Sequence, residues 1–345
     1  MKGIIGYGAY IPKYRIKTSE TARIWGKDSV ALEQGLRIKE KSVPALDEDS
    51  LTIGYQAAAN ALSMAQIDPA KIGAIYFGSE SKAYAVKPNA SIVGEMLGAG
   101  SAYTSADVEF ACKAGTACLQ MVLAEAGDGM IDYGLAIGTD TAQGRPGDIL
   151  EYSTAAGGAA FIVGSQESEM ITRLEATCSS SSDTPDFWRR PHERFPVHRE
   201  RFSGAPSYQT QILQSTQLLF DKLGSQPADY TYAAFHTPNG KFPLAVAKKL
   251  GFTRQQIDPG YVVPVVGNTY SGASILAFAA ILDQAKPGDR ILLVSYGSGA
   301  GSDAFSWVVT DQIDKKRQPQ KAVQRYIDNK EYVDYGQYVK NLGLV

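Results

Sequence analysis

Residues 72–80, IGAIYFGSE, and residues 230–240, YTYAAFHTPNG, are the two stretches that decide the fold of this chain. In each stretch an apolar run ends on a polar residue, Glu80 in the first and His236 in the second. A segment ending in Leu-Gly then follows, SIVGEMLG at 91–98 and LAVAKKLG at 244–251. Glu80 and His236 are 156 residues apart in the numbering. This repeated order indicates one structural unit used twice.

The offset of 156 residues continues further along both copies. A segment rich in small residues carries Cys112 in the first copy (FACKAGTACLQMVLA, 110–124) and Asn268 in the second (GNTYSGASILAFAAIL, 267–282). Each is followed by an apolar run that ends in a glycine-containing loop, at 133–142 and 290–303. If the two copies face each other across a pseudo-two-fold axis, Glu80, Cys112, His236 and Asn268 meet in one site.

Alternating strand-like and helix-like segments predict an α/β architecture with largely parallel sheets. Continuous apolar runs such as ILLVSY at 291–296 are typical of strands buried on both faces. A chain of 345 residues has the length of about two domains. We expect an N-terminal half over 1–165 and a C-terminal half over 166–345. The second includes an arginine-rich insert at 183–210 and a polar tail that docks in part.

The composition excludes several classes of protein. A net charge of −2 gives no general attraction to nucleic acid or to an anionic membrane. No segment approaches the ~18 uninterrupted apolar residues typical of a membrane span, and the N-terminus reads as a strand, not a signal peptide. Three cysteines without a C-x-x-C motif predict neither a disulfide framework nor a zinc site, and Cys118 and Cys178 are expected to be structural. The expected compartment is the reducing cytoplasm.

Cys112 is the candidate nucleophile. A buried cysteine is usually an inert part of the core, which is the alternative for this residue. Its expected position near a helix N-terminus favours the nucleophile, because the helix dipole and free N–H groups lower the pKa of a thiol. The small neighbours Ala111, Ala114 and Gly115 leave room for an acyl group.

The other three polar residues each have two interpretations. Glu80 is either a surface carboxylate at a strand end or a general base whose pKa is adjusted by burial. His236 is either a core histidine or part of a site shared with Glu80. Asn268 could cap the helix that follows it, donate a hydrogen bond to a substrate carbonyl, or do both.

Two further segments are candidates for ligand contact. The loop YGSGAGSD at 296–303 lacks the Lys-Ser/Thr of a P-loop, and the chain has no dinucleotide-binding fingerprint. We expect Gly297, Ser298 and Gly299 to allow a close backbone approach, with an amide N–H directed at a thioester oxygen. The arginine-rich insert and Lys241 form a basic cluster. It is either surface, an intersubunit contact or a docking site for a phosphorylated carrier.

The residues quoted above, together with HTPNGKFP at 236–243 and SYGSGAGSDAF at 295–305, match a known family. The chain resembles the 3-hydroxy-3-methylglutaryl-CoA synthases of the thiolase superfamily, in the compact form of archaea and some bacteria. The similarity extends over nearly the whole chain, including ARIWGKD at 22–28, TAQGRPGD at 141–148 and YVDYGQYVK at 332–340. It implies a thiolase-like fold of two similar α/β halves, layered αβαβα.

The resemblance also implies a role for each site residue. Cys112 would take the acetyl group of acetyl-CoA, Glu80 would remove a proton from its methyl group, and His236 would orient acetoacetyl-CoA and protonate the new alkoxide. The amides of Cys112 and Ser298 would hold the thioester oxygen. The remaining implied contacts are Asp28, Ser29, Ser153, Ser203, Asn268 and Ser298 for substrate, and Arg201 and Lys241 for CoA. No metal or other cofactor is implied.

The resemblance implies acyl-CoA substrates, a homodimer, and possible assembly with an acetoacetyl-CoA thiolase and a zinc-ribbon/OB-fold bridging protein. The chain departs from the expected pattern at Thr237, at Ala245 and over PSYQTQ at 206–211, near the expected CoA site. Two alternatives remain: a ketosynthase-like acyltransferase that uses another acceptor, and a non-catalytic structural subunit. Glu80 favours the synthase, because ketosynthases commonly have a second histidine or no carboxylate there.

Overall fold

The structure is a computed structural model that describes residues 1–345, except for the side chains of residues 200 and 201. It contains fourteen strands: β1 Gly3–Tyr10, β2 Tyr14–Lys17, β3 Glu40–Val43, β4 Ile72–Gly78, β5 Thr104–Val108, β6 Tyr133–Thr141, β7 Ala156–Gly164, β8 Thr172–Ser181, β9 Phe187–Trp188, β10 Val197–His198, β11 Tyr232–Phe235, β12 Arg290–Val294, β13 Gly301–Val309 and β14 Glu331–Tyr332.

The α-helices alternate with these strands along much of the chain. They are α1 Thr18–Ile24, α2 Ser29–Leu36, α3 Ser50–Ala65, α4 Asn89–Leu97, α5 Ala114–Gly127, α6 Thr210–Leu223, α7 Lys241–Leu250, α8 Arg254–Ile257, α9 Val263–Val266, α10 Ala273–Leu282, α11 Gln312–Lys316, α12 Val323–Asp328 and α13 Tyr335–Asn341. The two segments that end in Leu-Gly form α4 and α7, and Gly98 and Gly251 end these helices in the left-handed conformation.

Nine strands form one mixed sheet in the order β11-β12-β13-β8-β1-β7-β6-β4-β5. The prediction of largely parallel sheets is wrong. Only β4–β5, β4–β6 and β11–β12 are parallel within it, and the other five pairings are antiparallel. The reason is that β6–β7 and β12–β13 are joined directly, without the crossover helix that parallel neighbours need.

The strands before and after residue 165 share little hydrogen bonding. Within the nine-stranded sheet, only β1 and β8 join the two sets, through the pairs Gly3–Arg173 and Ile4–Thr172. The first set has five strands and the second has four, because the residues corresponding to β5 include the short helix α9. The division of the chain at residue 165 stays a prediction.

Both faces of the sheet are buried, as the apolar runs predicted. In β4, Ala74 and Tyr76 belong to one core while Ile75 and Phe77 belong to another. The same alternation in β12 separates Ile291 and Leu293 from Leu292 and Val294. This period of two places helices on each side of each strand set.

Three apolar cores give the order of the layers. Helices α3 and α4 pack on the outer face of the first strand set, and α6 and α7 pack on the outer face of the second. Helices α5 and α10 lie in the core shared by both sets. Every residue of α10 is buried, so this helix has no polar face to turn to solvent and suits the central layer.

The insert and the tail both pack against this framework. The insert forms the short antiparallel hairpin β9–β10, in agreement with the expectation that its prolines prevent a long helix. The tail docks more fully than expected: β14 pairs with β2, and Tyr338 of α13 is 1% exposed. Within the described residues, no helix is long and apolar enough to span a membrane.

Candidate active site

Cys112 lies in a turn just before α5, not within the helix. Ala111, directly before it, has a φ of 44°, a left-handed conformation that is uncommon for a residue with a side chain. Gly297 of the facing loop approaches closely, since a Cβ there would lie 2.7 Å from the carbonyl oxygen of Phe110. The glycine is therefore required for the 296–303 loop to contact the cysteine turn, as its sequence predicted.

The thiol of Cys112 is protonated in the resting site. Burial raises its pKa well above the usual value, and the negative charge of Glu80 and a hydrogen bond to that carboxyl raise it further. A hydrogen bond from the backbone N–H of Ser298 acts in the opposite direction. The expected lowering by a helix N-terminus is wrong here, because desolvation and a like charge outweigh the dipole.

Glu80 follows β4 and shares the hydrogen bond with Cys112. Burial, followed by the charge of Asp140, raises the pKa of Glu80 to about 8. Its Oε1 atom is buried and has no hydrogen-bond partner among the described residues. A carboxyl group with these properties can exchange a proton near neutral pH, as a general base must.

Asp140, at the end of β6, holds the Glu80 loop in place. Its Oδ1 accepts hydrogen bonds from the N–H groups of Glu80 and Ser81, at 2.8 and 2.9 Å, and from the hydroxyls of Ser79 and Ser81. Its Oδ2 accepts from the N–H and hydroxyl of Ser271, at 2.9 and 2.6 Å. One carboxylate thus connects the Glu80 loop to the segment that follows Asn268.

His236 follows β11 and is completely buried. Its ring lies beside those of Tyr208 and Tyr296, with ring centroids 6.4 and 6.0 Å away. Neither ring nitrogen has a hydrogen-bond partner among the described residues. Burial lowers the pKa of His236 to about 3, so the imidazole is neutral at pH 7 and both nitrogens are available to a ligand.

Asn268 lies in a tight loop between α9 and α10. Its backbone pairs with the 153–155 segment, from Asn268 N–H to Ser153 O at 2.7 Å and from Ala155 N–H to Asn268 O at 2.9 Å. Its Oδ1 accepts from Tyr270 N–H at 3.0 Å, so the side chain stabilises the local turn, whereas the N-cap positions of the following helical segments are Thr269 and Gly272. The side-chain NH₂ group is left to donate elsewhere.

A cavity of about 550 Å³ brings most of the predicted residues together. Seven of them line it: Cys112, Ser153, Ser203, His236, Lys241, Asn268 and Ser298. Glu80 lines a neighbouring cavity, and Tyr270 contributes to the walls of both. A volume of this size suits an elongated acyl-thioester arm.

Asp28 and Ser29 do not line this cavity. Asp28 instead caps α2, accepting hydrogen bonds from the N–H groups of Val30 and Ala31. The opposite end of α2 reaches the cavity, through Gly35 and Leu36. A ligand role for Asp28 and Ser29 stays a prediction that requires contact with a part of CoA outside the cavity. The side chain of Arg201 lies outside the described residues.

Several residues of the site were not predicted from the sequence. Asp140 is the most important, and it has the same offset from Tyr296, 156 residues, as the pairs above. Applying the 156-residue offset to the residues at the ends of β6 and β12 would have identified Asp140 and Tyr296 as an equivalent pair. The other missed lining residues are spread over distant segments: Ile149, Leu150, Phe187, His198, Pro238, Asn239, Phe242 and Tyr270.

The PSYQTQ stretch, which departs from the expected pattern, supports His236 directly. The hydroxyl of Tyr208 donates to the carbonyl oxygen of His236 at 2.6 Å.

Among the described residues, no group of three or more His, Cys, Asp or Glu side chains has a metal-binding arrangement.

Comparison with known proteins identifies the family. The chain is 55% identical to the hydroxymethylglutaryl-CoA synthase of Methanopyrus kandleri over 98% of its length and 96% of that protein. It is also 55% identical to the one of Methanobrevibacter smithii, over 100% and 99%. The chain belongs to the hydroxymethylglutaryl-CoA synthase family.

Fold comparison agrees with family membership. A solved structure of MvaS in complex with 3-hydroxy-3-methylglutaryl coenzyme A superposes with a TM-score of 0.89 at 22% identity, covering 100% of this chain and 92% of that one. Residues 220–309 also match the model of the 3-oxoacyl-[acyl-carrier-protein (ACP)] synthase III C terminal. The thiolase-like α/β fold expected from the sequence is therefore confirmed.

Proposed function

We propose that this protein condenses acetyl-CoA with acetoacetyl-CoA and water to give 3-hydroxy-3-methylglutaryl-CoA and CoA, the reaction of the mevalonate route. The observation that carries the proposal is the hydrogen-bonded pair of Glu80 and Cys112 beside a cavity that also contains His236. A nucleophile, a base and a carbonyl-binding group around one small volume are what a Claisen-type condensation needs.

In the first step, Cys112 attacks acetyl-CoA and becomes acetylated. Glu80 is the acceptor for the thiol proton, because its carboxyl is hydrogen-bonded to that group. The N–H of Ser298 donates to the sulfur in the resting site. It is therefore close enough to stabilise the negative charge that develops on the thioester oxygen when the sulfur attacks. CoA leaves as the thiol.

In the second step, Glu80 removes a proton from the acetyl methyl group and the resulting enolate attacks the ketone of acetoacetyl-CoA. His236 binds the ketone oxygen as a neutral imidazole, which polarises a carbonyl by donating its N–H. His236 gives this N–H proton to the new alkoxide, and the proton that Glu80 took from the methyl group is returned to His236 through solvent, so that both groups are restored before hydrolysis. Water then cleaves the product from Cys112.

The elongated arm of CoA would enter the cavity through a mouth at α2 and α7, because both helices contribute to its walls. Lys241 of α7 lines the cavity, and a positive charge there suits a phosphate or the polar part of CoA. Contacts of Asp28, Ser29 and Arg201 with the outer part of CoA belong to the same proposal.

A ketosynthase-like condensation on another acyl acceptor is the second candidate. The match of residues 220–309 to a 3-oxoacyl-ACP synthase model favours it. The presence of Glu80 at the position equivalent to His236 favours the first candidate.

The assembly and location belong to this proposal as well. The outer edge of β5 pairs with no other strand of the described chain, which supports a homodimer that extends the sheet. Assembly with an acetoacetyl-CoA thiolase and a zinc-ribbon/OB-fold bridging protein, action in the cytoplasm, and catalysis without a cofactor follow from the family resemblance.

Mass spectrometry of the intact protein tests the proposed function. Acetyl-CoA alone should give one acetyl group on Cys112, and none in Cys112→Ala. Addition of acetoacetyl-CoA should then release 3-hydroxy-3-methylglutaryl-CoA. An unmodified wild-type protein would exclude the nucleophile assignment, whereas an acetylated protein that ignores acetoacetyl-CoA would favour the ketosynthase-like candidate.

A further inference from the structure

A second cavity, of about 370 Å³, is lined by Glu80, which does not line the cavity of about 550 Å³ described above, here called the acyl-CoA cavity. We call the second one the Glu80-side cavity; its walls include Glu80, Ala142, Gln143, Arg189, Arg194 and Pro196. Tyr270 lines both cavities and forms part of the wall between them. The buried Tyr270 has a φ of 49°, so a left-handed backbone holds its ring at this wall.

The cations around the Glu80-side cavity are already engaged by protein groups. Arg189 donates to the backbone carbonyl of Glu80 at 2.9 Å, and Arg194 donates to that of Leu342 at 3.2 Å. Lys82 pairs with Glu109 at 2.9 Å. Each arginine is thus anchored by a backbone carbonyl, and its remaining N–H groups and the Glu80 carboxyl give the cavity polar walls, which suit the passage of water.

The proposed reaction needs a water molecule when the acyl-CoA cavity is full. After condensation, the product is bound to Cys112 at one end and still carries CoA at the other. The CoA arm then occupies the mouth of the acyl-CoA cavity. Water for hydrolysis must reach the thioester by a route that the product does not block.

We infer that the Glu80-side cavity is the access route for the hydrolytic water, an inference that rests on the proposed function. The oxygen of the water molecule bonds to the thioester carbon while Glu80 takes one proton from that water. The carbon–sulfur bond then breaks, and the proton passes from Glu80 to the sulfur of Cys112. Water is consumed, a carboxylic acid and the free thiol are formed, and no other reactant is needed.

Filling the Glu80-side cavity tests this inference. Ala142→Trp places a large side chain in the passage, Pro196→Trp does so from another segment of the wall, and Ala142→Ser is the matched control. With both substrates, the two Trp variants should accumulate the product thioester on Cys112, with hydrolysis slowed about tenfold or more. Rapid quenching and mass spectrometry measure the formation and loss of each adduct.

Hydrolysis of acetyl-Cys112 after removal of free CoA provides the internal comparison. The mouth of the acyl-CoA cavity is then open, so water can enter there and the Trp variants should lose the acetyl group as fast as wild type. Product hydrolysis at the wild-type rate in both Trp variants would reject the route. An equal slowing of acetylation and hydrolysis would also reject it, since the substitutions would then act on the site as a whole.

The two levels of inference can fail separately. A wild-type protein that never forms the product thioester contradicts the proposed function. A wild-type protein that forms and releases the product, with Trp variants that do the same at equal rates, contradicts only the water route.

Discussion

The ammonium group of Lys113 lies 3.0 Å from each carboxylate oxygen of Asp303, in an ion pair that is almost completely buried. Lys113 follows the nucleophile and Asp303 is in β13, so the pair joins the Cys112 turn to the second strand set. Thr116 and Ser179 also donate to Asp303, each at 2.8 Å. This arrangement holds the left-handed turn at Ala111 against the 296–303 loop.

Lys113→Met should destabilise the protein by about 3–5 kcal/mol, because it leaves Asp303 charged, buried and without its cation. Urea unfolding at pH 7 measures the change. The double variant Lys113→Met/Asp303→Leu removes both charges and should recover most of the loss. A single variant as stable as wild type would show that Asp303 is not desolvated as the geometry indicates.

Glu80→Ala should retain acetylation of Cys112 but lose formation of the carbon–carbon bond. The substitution removes a charge and a hydrogen bond that raise the pKa of the thiol, which offsets the loss of a proton acceptor. No other carboxylate or imidazole is expected to replace Glu80 at the methyl group. Adduct mass and product analysis separate the two steps, and condensation at the wild-type rate would place the base elsewhere.

The rate of condensation by pre-acetylated enzyme should rise with pH through a midpoint of about 8 or somewhat above, because acetylation removes the hydrogen bond from Cys112 that lowers the pKa of Glu80. Glu80 acts as a base only when ionised, and burial raises its pKa to about 8, so lower pH leaves it protonated. Single-turnover rates between pH 6 and pH 10, both about two units from that pKa, measure the midpoint. A pH-independent rate over this range would contradict Glu80 as the base.

Asp140→Asn should move this midpoint to lower pH and also reduce the maximal rate. The charge of Asp140 is the second cause of the raised pKa of Glu80, and its carboxylate accepts the hydrogen bonds that position the Glu80 loop. In the variant, an amide NH₂ group in place of Oδ2 would face the N–H of Ser271, so two hydrogen-bond donors would point at each other and the bond would be lost. A lower rate with an unchanged midpoint would indicate a purely structural role.

The buried His236 should make the protein sensitive to acid. Its pKa is lowered to about 3 in the folded state, so the unfolded chain binds a proton more readily between that value and its ordinary pKa. Stability is therefore lost as pH falls from about 6.5 towards 3. At pH 5, protonation of His236 in the unfolded chain lowers the free energy of unfolding by on the order of 2 kcal/mol, and His236→Gln should remove this loss. Urea unfolding of both proteins at pH 5 and pH 7 measures the difference, and an equal pH dependence would exclude this origin.

The site could be predicted from the sequence where its residues follow the repeat. Glu80 and His236 both follow parallel strands, and Cys112 and Asn268 both precede the central helices, because the chain uses the same order of elements twice. Local order along a chain is enough to predict such positions. The same reasoning failed for the direction of most strand pairings, since the length and form of a connection determine them.

The electrostatic state of the site could not be predicted in this way. A sequence indicates that Cys112 lies near a helix start, but not that Glu80 is hydrogen-bonded to it or that both are desolvated. Asp140 and Tyr270 belong to the site through contacts between distant segments. Burial and the distance to other charges determine how far each pKa moves, and both depend on the folded structure.

The sequence by itself determined the duplicated α/β plan, the family and the four polar residues at equivalent places in the two copies. Only the tertiary structure decided that Cys112 rests as a thiol, that His236 is neutral, and that Tyr270 lines two cavities, one with Cys112 and one with Glu80. The physical reason is that periodicity and motifs are properties of neighbouring residues, whereas solvation and charge depend on segments that folding alone brings together.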